Sequence, residues 1–183
     1  PFTKLGLEKG EKCVYIRDSS PGNNFREYLK KEGVEVSSYE KSGQLVILDE
    51  SEAYNKDGDF KPAIMIQLLI NEAQKALDEF KALRISGEMN WVLQDQSGLE
   101  KLLEYENILN QDFFPHYPCL AICQYNLQKF DPEIIKVVMM THSYLIKGGE
   151  IYKNFYHVPP YEFQDTSLAE KEVEIWLNNL ERE

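Results

Sequence analysis

The stretch Leu83 to Leu93, LRISGEMNWVL, decides how the chain folds. Leu83 and Ile85 open it as a buried strand opens, but Gly87 and Glu88 stand where further apolar side chains are due. A strand that ends on a glycine and a carboxylate, between two helix-patterned segments, fits a parallel sheet whose strand ends carry function.

Upstream, apolar residues recur at Ile66, Leu69, Ile70, Ala73, Leu77 and Phe80, and this spacing predicts a helix over Ala63 to Phe80. Before it come the β-rich run EKCVYIRD (Glu11 to Asp18) and an amphipathic segment with Phe25, Tyr28 and Leu29 that ends at Gly33. Two further runs follow, VEVSSYE and QLVILDE, separated by Lys41, Ser42 and Gly43. Downstream, Ser97 and Glu100 form a capping-box pattern for a helix to about Asn110. CLAICQY (Cys119 to Tyr125) then reads as a centrally buried parallel strand. Asp131 and Pro132 open another helix, and Gly148-Gly149 lies between two β-rich arms as a hairpin turn. The fold class is α/β: a mostly parallel sheet flanked by helices, with an antiparallel C-terminal extension.

The last segment, from Thr166, begins with a second capping box, Ser167 and Glu170. Its apolar residues Ala169, Val173, Trp176 and Leu180 step by four, three and four, one heptad seam. Such a helix either packs on its own domain or connects to a partner. The expected organisation is a domain over residues 1–165 and a terminal helix over 166–183, a contact for a homodimer or an output module.

Composition bounds the function. A chain of 183 residues, 43% hydrophobic and 12% aromatic, has the material for a substantial core. A net charge of -11, without a run of basic residues, argues against direct nucleic-acid binding. The longest apolar stretch, AIMIQLLI, is far short of the ~20 residues a membrane helix needs. With no signal pattern at the start, the expectation is a cytoplasmic protein or a cytoplasmic piece of something larger. Cys13, Cys119 and Cys123 lack zinc-type spacing, and two cysteines four apart on one strand lie about 13 Å apart, beyond disulfide reach. Three free thiols are expected.

No HExxH, CxxC, EF-hand, GxSxG or GxGxxG pattern is present, and no GxxxxGK[ST] loop exists to cradle phosphates. No metal and no cofactor are therefore expected. What remains is the carboxyl edge of the sheet, where Glu88, Cys123, Gln124 and Tyr125 are expected to face one cleft. Each has a plainer reading: Glu88 as a structural partner of Arg84, Cys123 as a small buried hydrophobe, His142 as a helix C-terminal cap.

GLEKGEKCVYIRD, RISGEMNWVL, LLEYENILN, LAICQYN and THSYLIKGGEIYKNFYHVPPYEF, taken in order, resemble successive motifs of the MEDS domain. This is a sensory domain of methanogen and methylotroph signalling proteins, related to the RecA-like ATPase fold. The resemblance runs from Gly6 to about Phe163 and implies a RecA-like, ligand-sensing input domain of a histidine kinase or transcription regulator, for simple hydrocarbon derivatives. Its motif positions fall on Arg84, Gly87, Glu88 and Trp91, on Tyr105, Glu106 and Asn110, and on Cys123, Tyr125, His142, Asn154 and Tyr156. It implies a ligand site drawn from Arg84, Glu88, Trp91, Cys123, Tyr125, His142, Asn154 and Tyr156. Three departures stand out: the family's opening strand and histidine turn are absent before GLEKGE, Ser143 replaces a usual proline, and NFYHVPP replaces a more typical NPYY run.

Three functions fit these residues. The first is a sensor, with aromatic walls and few polar groups suited to a small, weakly polar molecule, and Glu88 to steady a cation. A scaffold for dimerisation and relay is the second. The third is an enzyme with Cys123 as nucleophile, His142 as base and Glu88 as orienter, which needs an activated thiol.

Overall fold

The computed structural model describes residues 1–18, 24–53, 60–94 and 98–158, together with Val173 and Leu177. Two compact units are present, Pro1–Asn126 and Leu127–Glu183. The expected boundary at 165/166 lies outside the described residues.

The first unit opens with helix α1 (Phe2–Glu8), followed by strand β1 (Lys12–Arg17), helices α2 (Phe25–Lys31) and α3 (Val36–Lys41), and strand β2 (Leu45–Asp49). Of the two runs around Gly43, only QLVILDE is a strand; VEVSSYE supplies α3. Gly43 itself sits at φ 72°, the left-handed conformation that lets the chain turn from helix into β2. A short helix α4 (Glu50–Ala53), the long helix α5 (Pro62–Glu79) and strand β3 (Leu83–Glu88) come next. A 3-10 turn (Asn90–Gln94) leads to helix α6 (Gly98–Ile108), a π-helical turn (Leu109–Phe113) and strand β4 (Cys119–Gln124).

The four strands form one parallel sheet in the order β2-β1-β3-β4. Because side chains alternate along a strand, the register sorts them onto two faces. Cys13, Tyr15, Arg84, Ser86, Glu88, Leu120, Ile122 and Gln124 share the first face, where α1, α2, α3 and the turn between α2 and α3 bring Leu7, Leu29, Val36 and Val34 against Cys13 and Leu45. Lys12, Val14, Ile16, Leu83, Ile85, Gly87, Cys119, Ala121 and Cys123 share the second face.

Helix α5 packs with the second face through Lys12, whose ammonium is almost wholly buried and bonds Glu72 at 3.2 Å and the Gly43 carbonyl at 2.5 Å. That ion pair turns Glu72 inward, so the buried stripe of α5 runs Met65, Ile66, Leu69, Glu72, Ala73 and Ala76, while Leu77, expected inside, is 53% exposed. At the same end of the sheet, on the other face, Arg84 pairs with Glu11 and lies 4.8 Å from the Phe2 ring.

β4 differs from expectation. It is the edge of the described sheet, and Leu120 is 56% exposed. Its apolar composition predicts burial on both faces, but β3 is its only strand partner among the described residues. Ser97 lies outside the described residues, so the expected capping box of α6 is not described.

The second unit contains helix α7 (Pro132–Thr141) and an antiparallel hairpin of β5 (Tyr144–Lys147) and β6 (Glu150–Lys153). Asp131 and Pro132 stand at the N-cap and first turn of α7 as expected. Gly148 and Gly149 both have positive φ, 62° and 89°, as a two-residue hairpin turn with matching twist requires. Of the terminal seam only Val173 is described, helical and exposed; Ala169, Trp176 and Leu180 lie outside the described residues. Among the described residues no helix is long and apolar enough to cross a membrane.

Candidate functional site

The strand order reverses at β1. The chain leaves β1 for β2 on one side, then returns to place β3 on the other, so the connections after β1 and β3 diverge. Such a divergence leaves a crevice outside the carboxyl ends of the two strands, the usual ligand position in open α/β sheets. Glu88, the last residue of β3, stands there.

Its two carboxylate oxygens are held by the end of β1. The Tyr15 hydroxyl donates to Oε1, and the Asp18 backbone N–H donates to Oε2 at 3.2 Å. The Asn90 amide, from the turn after β3, donates back to the Asp18 carboxylate. Tyr15 is fixed in turn by stacking on Phe25 of α2, ring centroids 3.7 Å apart. The result is a clasp across the crevice whose members come from β1, β3 and the segments that follow them. Beside it on the same face, the Gln124 amide donates to the Ser86 hydroxyl at 2.8 Å.

Gly87 makes no turn at the end of β3. It continues the β3 register, opposite Ile16 and Cys123, and its φ is not positive. Its consequence is the lack of a side chain between those two residues. Nor does Glu88 pair with Arg84. Arg84 lies near the opposite end of β3, committed to Glu11, away from the carboxyl edge.

Cys123 lies on the second face, so the expected single cleft with Glu88 divides in two. There Glu106 of α6, 3% exposed, brings a carboxylate oxygen within 4.8 Å of the Cys123 sulfur, and the Tyr125 hydroxyl lies 3.5 Å from Glu106 Oε1. Burial, with the Glu106 carboxylate beside it, pushes the Cys123 thiol well above its ordinary range. This is the reverse of an activated nucleophile. The enzymatic arrangement also loses its orienter, since Glu88 is engaged on the other face.

Trp91 is buried in an aromatic group, its ring 3.7 Å from Phe60, which also meets Tyr105 edge-on at 5.5 Å. In the second unit, His142 Nδ1 lies 2.8 Å from the Val138 carbonyl and 2.9 Å from the Thr141 hydroxyl. Asn154, buried, donates to the carbonyls of Met139 and His142, the latter at 2.7 Å, and accepts the Tyr156 N–H at 3.0 Å. His142, Asn154 and Tyr156 are thus tied to the joint between α7 and the hairpin. Sequence reasoning missed Tyr15, Asp18 and Asn90; the signal for Asp18 and Asn90 was their place at or just past the end of a strand-patterned run, which names a location and not a bond, and Tyr15 sits inside its run with no signal of its own.

Comparison with known proteins bears on this geometry. A family model described as "MEDS: MEthanogen/methylotroph, DcmR Sensory domain" matches residues 1–143. The chain is similar to the transcriptional repressor DcmR of Methylorubrum extorquens (strain DSM 6343 / CIP 106787 / DM4), 24% identical over 144 residues, which are 78% of this chain and 51% of that protein. The chain therefore spans about half the length of this curated relative. Among solved structures it is similar to a KaiC-like protein of the archaeon Pyrococcus horikoshii OT3, with a TM-score of 0.51 and 16% identity over 82% of this chain and 65% of that one. The last likeness bears out the RecA-like fold.

Proposed function

Since the chain belongs to the MEDS family of sensory domains, we propose that it is the input domain of a regulator and binds a small organic ligand in the crevice between β1 and β3. The observation that carries this reading is the Glu88 carboxylate, set where the strand order reverses and oriented by Tyr15 and Asp18. Glu88 is half-buried, where a hydrogen bond is worth more than in water.

Ligand contact at the clasp also offers a route for signal. A ligand that draws on Glu88 competes with Tyr15, in β1, and with Asp18, the first residue after it. The relative that the chain resembles is a transcriptional repressor, so the proposed output is control of transcription, carried by a further part of the protein in the cytoplasm. The terminal segment is the proposed connector or dimer contact.

The test is a thermal-shift screen of short-chain amines, alcohols and halogenated hydrocarbons, followed by affinity measurement on Glu88→Gln. A saturable stabiliser whose affinity drops by about tenfold or more in the variant supports the crevice. A stabiliser that binds the variant unchanged removes Glu88 from the site.

A further inference from the structure

Strand β4 leaves half of its backbone unused. The Leu83 N–H donates to the Pro118 carbonyl at 3.1 Å and the Met89 N–H to the Gln124 carbonyl at 3.0 Å, which fixes the phase of the parallel ladder. Bonds to β3 therefore fall on Leu120, Ile122 and Gln124, and the N–H and C=O groups of Cys119, Ala121 and Cys123 point away from the sheet. Among the described residues, no hydrogen bond reaches these outward groups. Leu120 is 56% exposed and Ala121 is exposed beside it, so the edge is open as well as unpaired.

Sheet edges are ordinarily guarded by a charge, a proline or a bulge. From Cys119 to Gln124 there is no charged residue and no proline, and the pairing with β3 runs without a bulge. The strand is also its own complement. Read in either direction, Cys119 to Cys123 gives cysteine, an aliphatic residue, alanine, an aliphatic residue and cysteine. When two copies are related by a two-fold axis at Ala121, their strands run antiparallel, and Cys119 of each lies opposite Cys123 of the other. The outward residues then face one another, so every unused N–H and C=O finds a partner, and Leu120 of each copy meets Ile122 of the other. Shifting the register by two residues sets one outward residue of each strand opposite a residue outside β4. A net charge of -11 repels copies of this chain, and an uncharged edge adds nothing to that repulsion. We propose that β4 is the contact between two copies of the chain, paired antiparallel about Ala121 into one continuous sheet. The carboxyl ends of the two parent sheets point in opposite directions, and each copy keeps its own crevice. A ladder of this length alone is smaller than the ~1,200 Å² of a stable interface, so the dimer forms reversibly. The contact is distinct from the terminal segment and does not depend on the crevice.

Light-scattering sizing of the full chain in a dilution series from about 1 mM, which reveals a pair with a dissociation constant that weak, is combined with amide hydrogen exchange read residue by residue. The expected result is a dimer at the upper end that dissociates on dilution. The amides of Cys119, Ala121 and Cys123 are protected in the dimer and lose that protection at least tenfold as it dissociates, while those of Leu120, Ile122 and Gln124 stay protected throughout. Ala121→Pro removes an outward N–H and no bond to β3, so it should leave a folded monomer. The exchange measurement needs no variant and stands if Ala121→Pro fails to fold. A monomer at every concentration overturns the proposal. So does a dimer in which Cys119, Ala121 and Cys123 exchange freely, which places the contact elsewhere, or a folded Ala121→Pro that still dimerises. Protection of these three amides in the monomer also overturns it, since the edge is then covered by the protein's own chain.

Discussion

Replacing Lys12 with methionine isolates what holds α5 to the sheet. The Lys12 side chain is 4% exposed, its ammonium bonded to Glu72 at 3.2 Å and to the Gly43 carbonyl at 2.5 Å, with the Phe80 ring 5.5 Å away. Methionine keeps most of the volume and removes the charge, so the cost is electrostatic. Stranding one partner of a buried pair typically costs about 3–5 kcal/mol. Glu72 keeps Lys75 at 2.7 Å, an exposed side chain that offsets part of that loss, and the expectation is about 3 kcal/mol. Lys12→Met combined with Glu72→Leu removes both charges and should return to within about 1 kcal/mol of the parent, since an apolar replacement of a buried pair is often neutral. Urea unfolding with linear extrapolation measures each variant, and the double-mutant cycle gives the coupling. A loss below about 1 kcal/mol in Lys12→Met, or a double variant worse than either single, refutes the argument. Lys12 lies at the amino end of β1, so ligand affinity at the carboxyl edge should not change.

The other expectations are as specific. Tyr15→Phe removes one donor to Glu88 and should cost about 1–3 kcal/mol in denaturant unfolding, with the larger figure if Oε1 stays dry. Gly98→Ala places a Cβ against the Val92 carbonyl oxygen and should lower the melting temperature, equivalent to about 1–3 kcal/mol, whereas Gly33→Ala meets no atom and is limited by its φ of 80°. Denaturing thiol titration without reductant should count three thiols. Burial pushes the Cys13 thiol from an ordinary 9.0 up to about 12, so the unfolded state releases its proton first. Stability is then full below pH 9.0 and falls as pH rises toward 12, by up to ~1.4 kcal/mol per pH unit for this thiol. Cys13→Ala should flatten that slope in urea unfolding measured from pH 8 to 11 relative to the parent.

Periodicity was enough for the strands and the long helix because alternation and the 3.6-residue repeat are imposed by backbone geometry, which the sheet cannot alter. It failed where a side chain's partner is remote in sequence. Glu72 reads as a solvated residue on α5 until Lys12, sixty residues earlier, turns it inward. Arg84 and Glu88 are four residues apart and invite pairing, but an extended strand carries them to opposite ends, toward Glu11 and Tyr15. Cys123 and Glu88 share the carboxyl edge as read, yet the register puts them on opposite faces, a distinction of one residue that no single run of sequence contains. β4 is as apolar as a central strand, and its place at the described sheet's edge depends on pairing order, which composition does not encode.

The central claim, a ligand in the crevice between β1 and β3, is tested most directly by amide NMR titration with the strongest stabiliser from the thermal-shift screen. The Asp18 N–H, bonded to Glu88 Oε2, is the built-in reporter. Saturable shifts centred on the amides of Asp18, Glu88, Met89 and Asn90, with those of Lys12 and Leu83 unmoved, are the predicted result. Shifts centred on the amino end of the sheet, with Asp18 and Glu88 unchanged at saturation, would contradict the account.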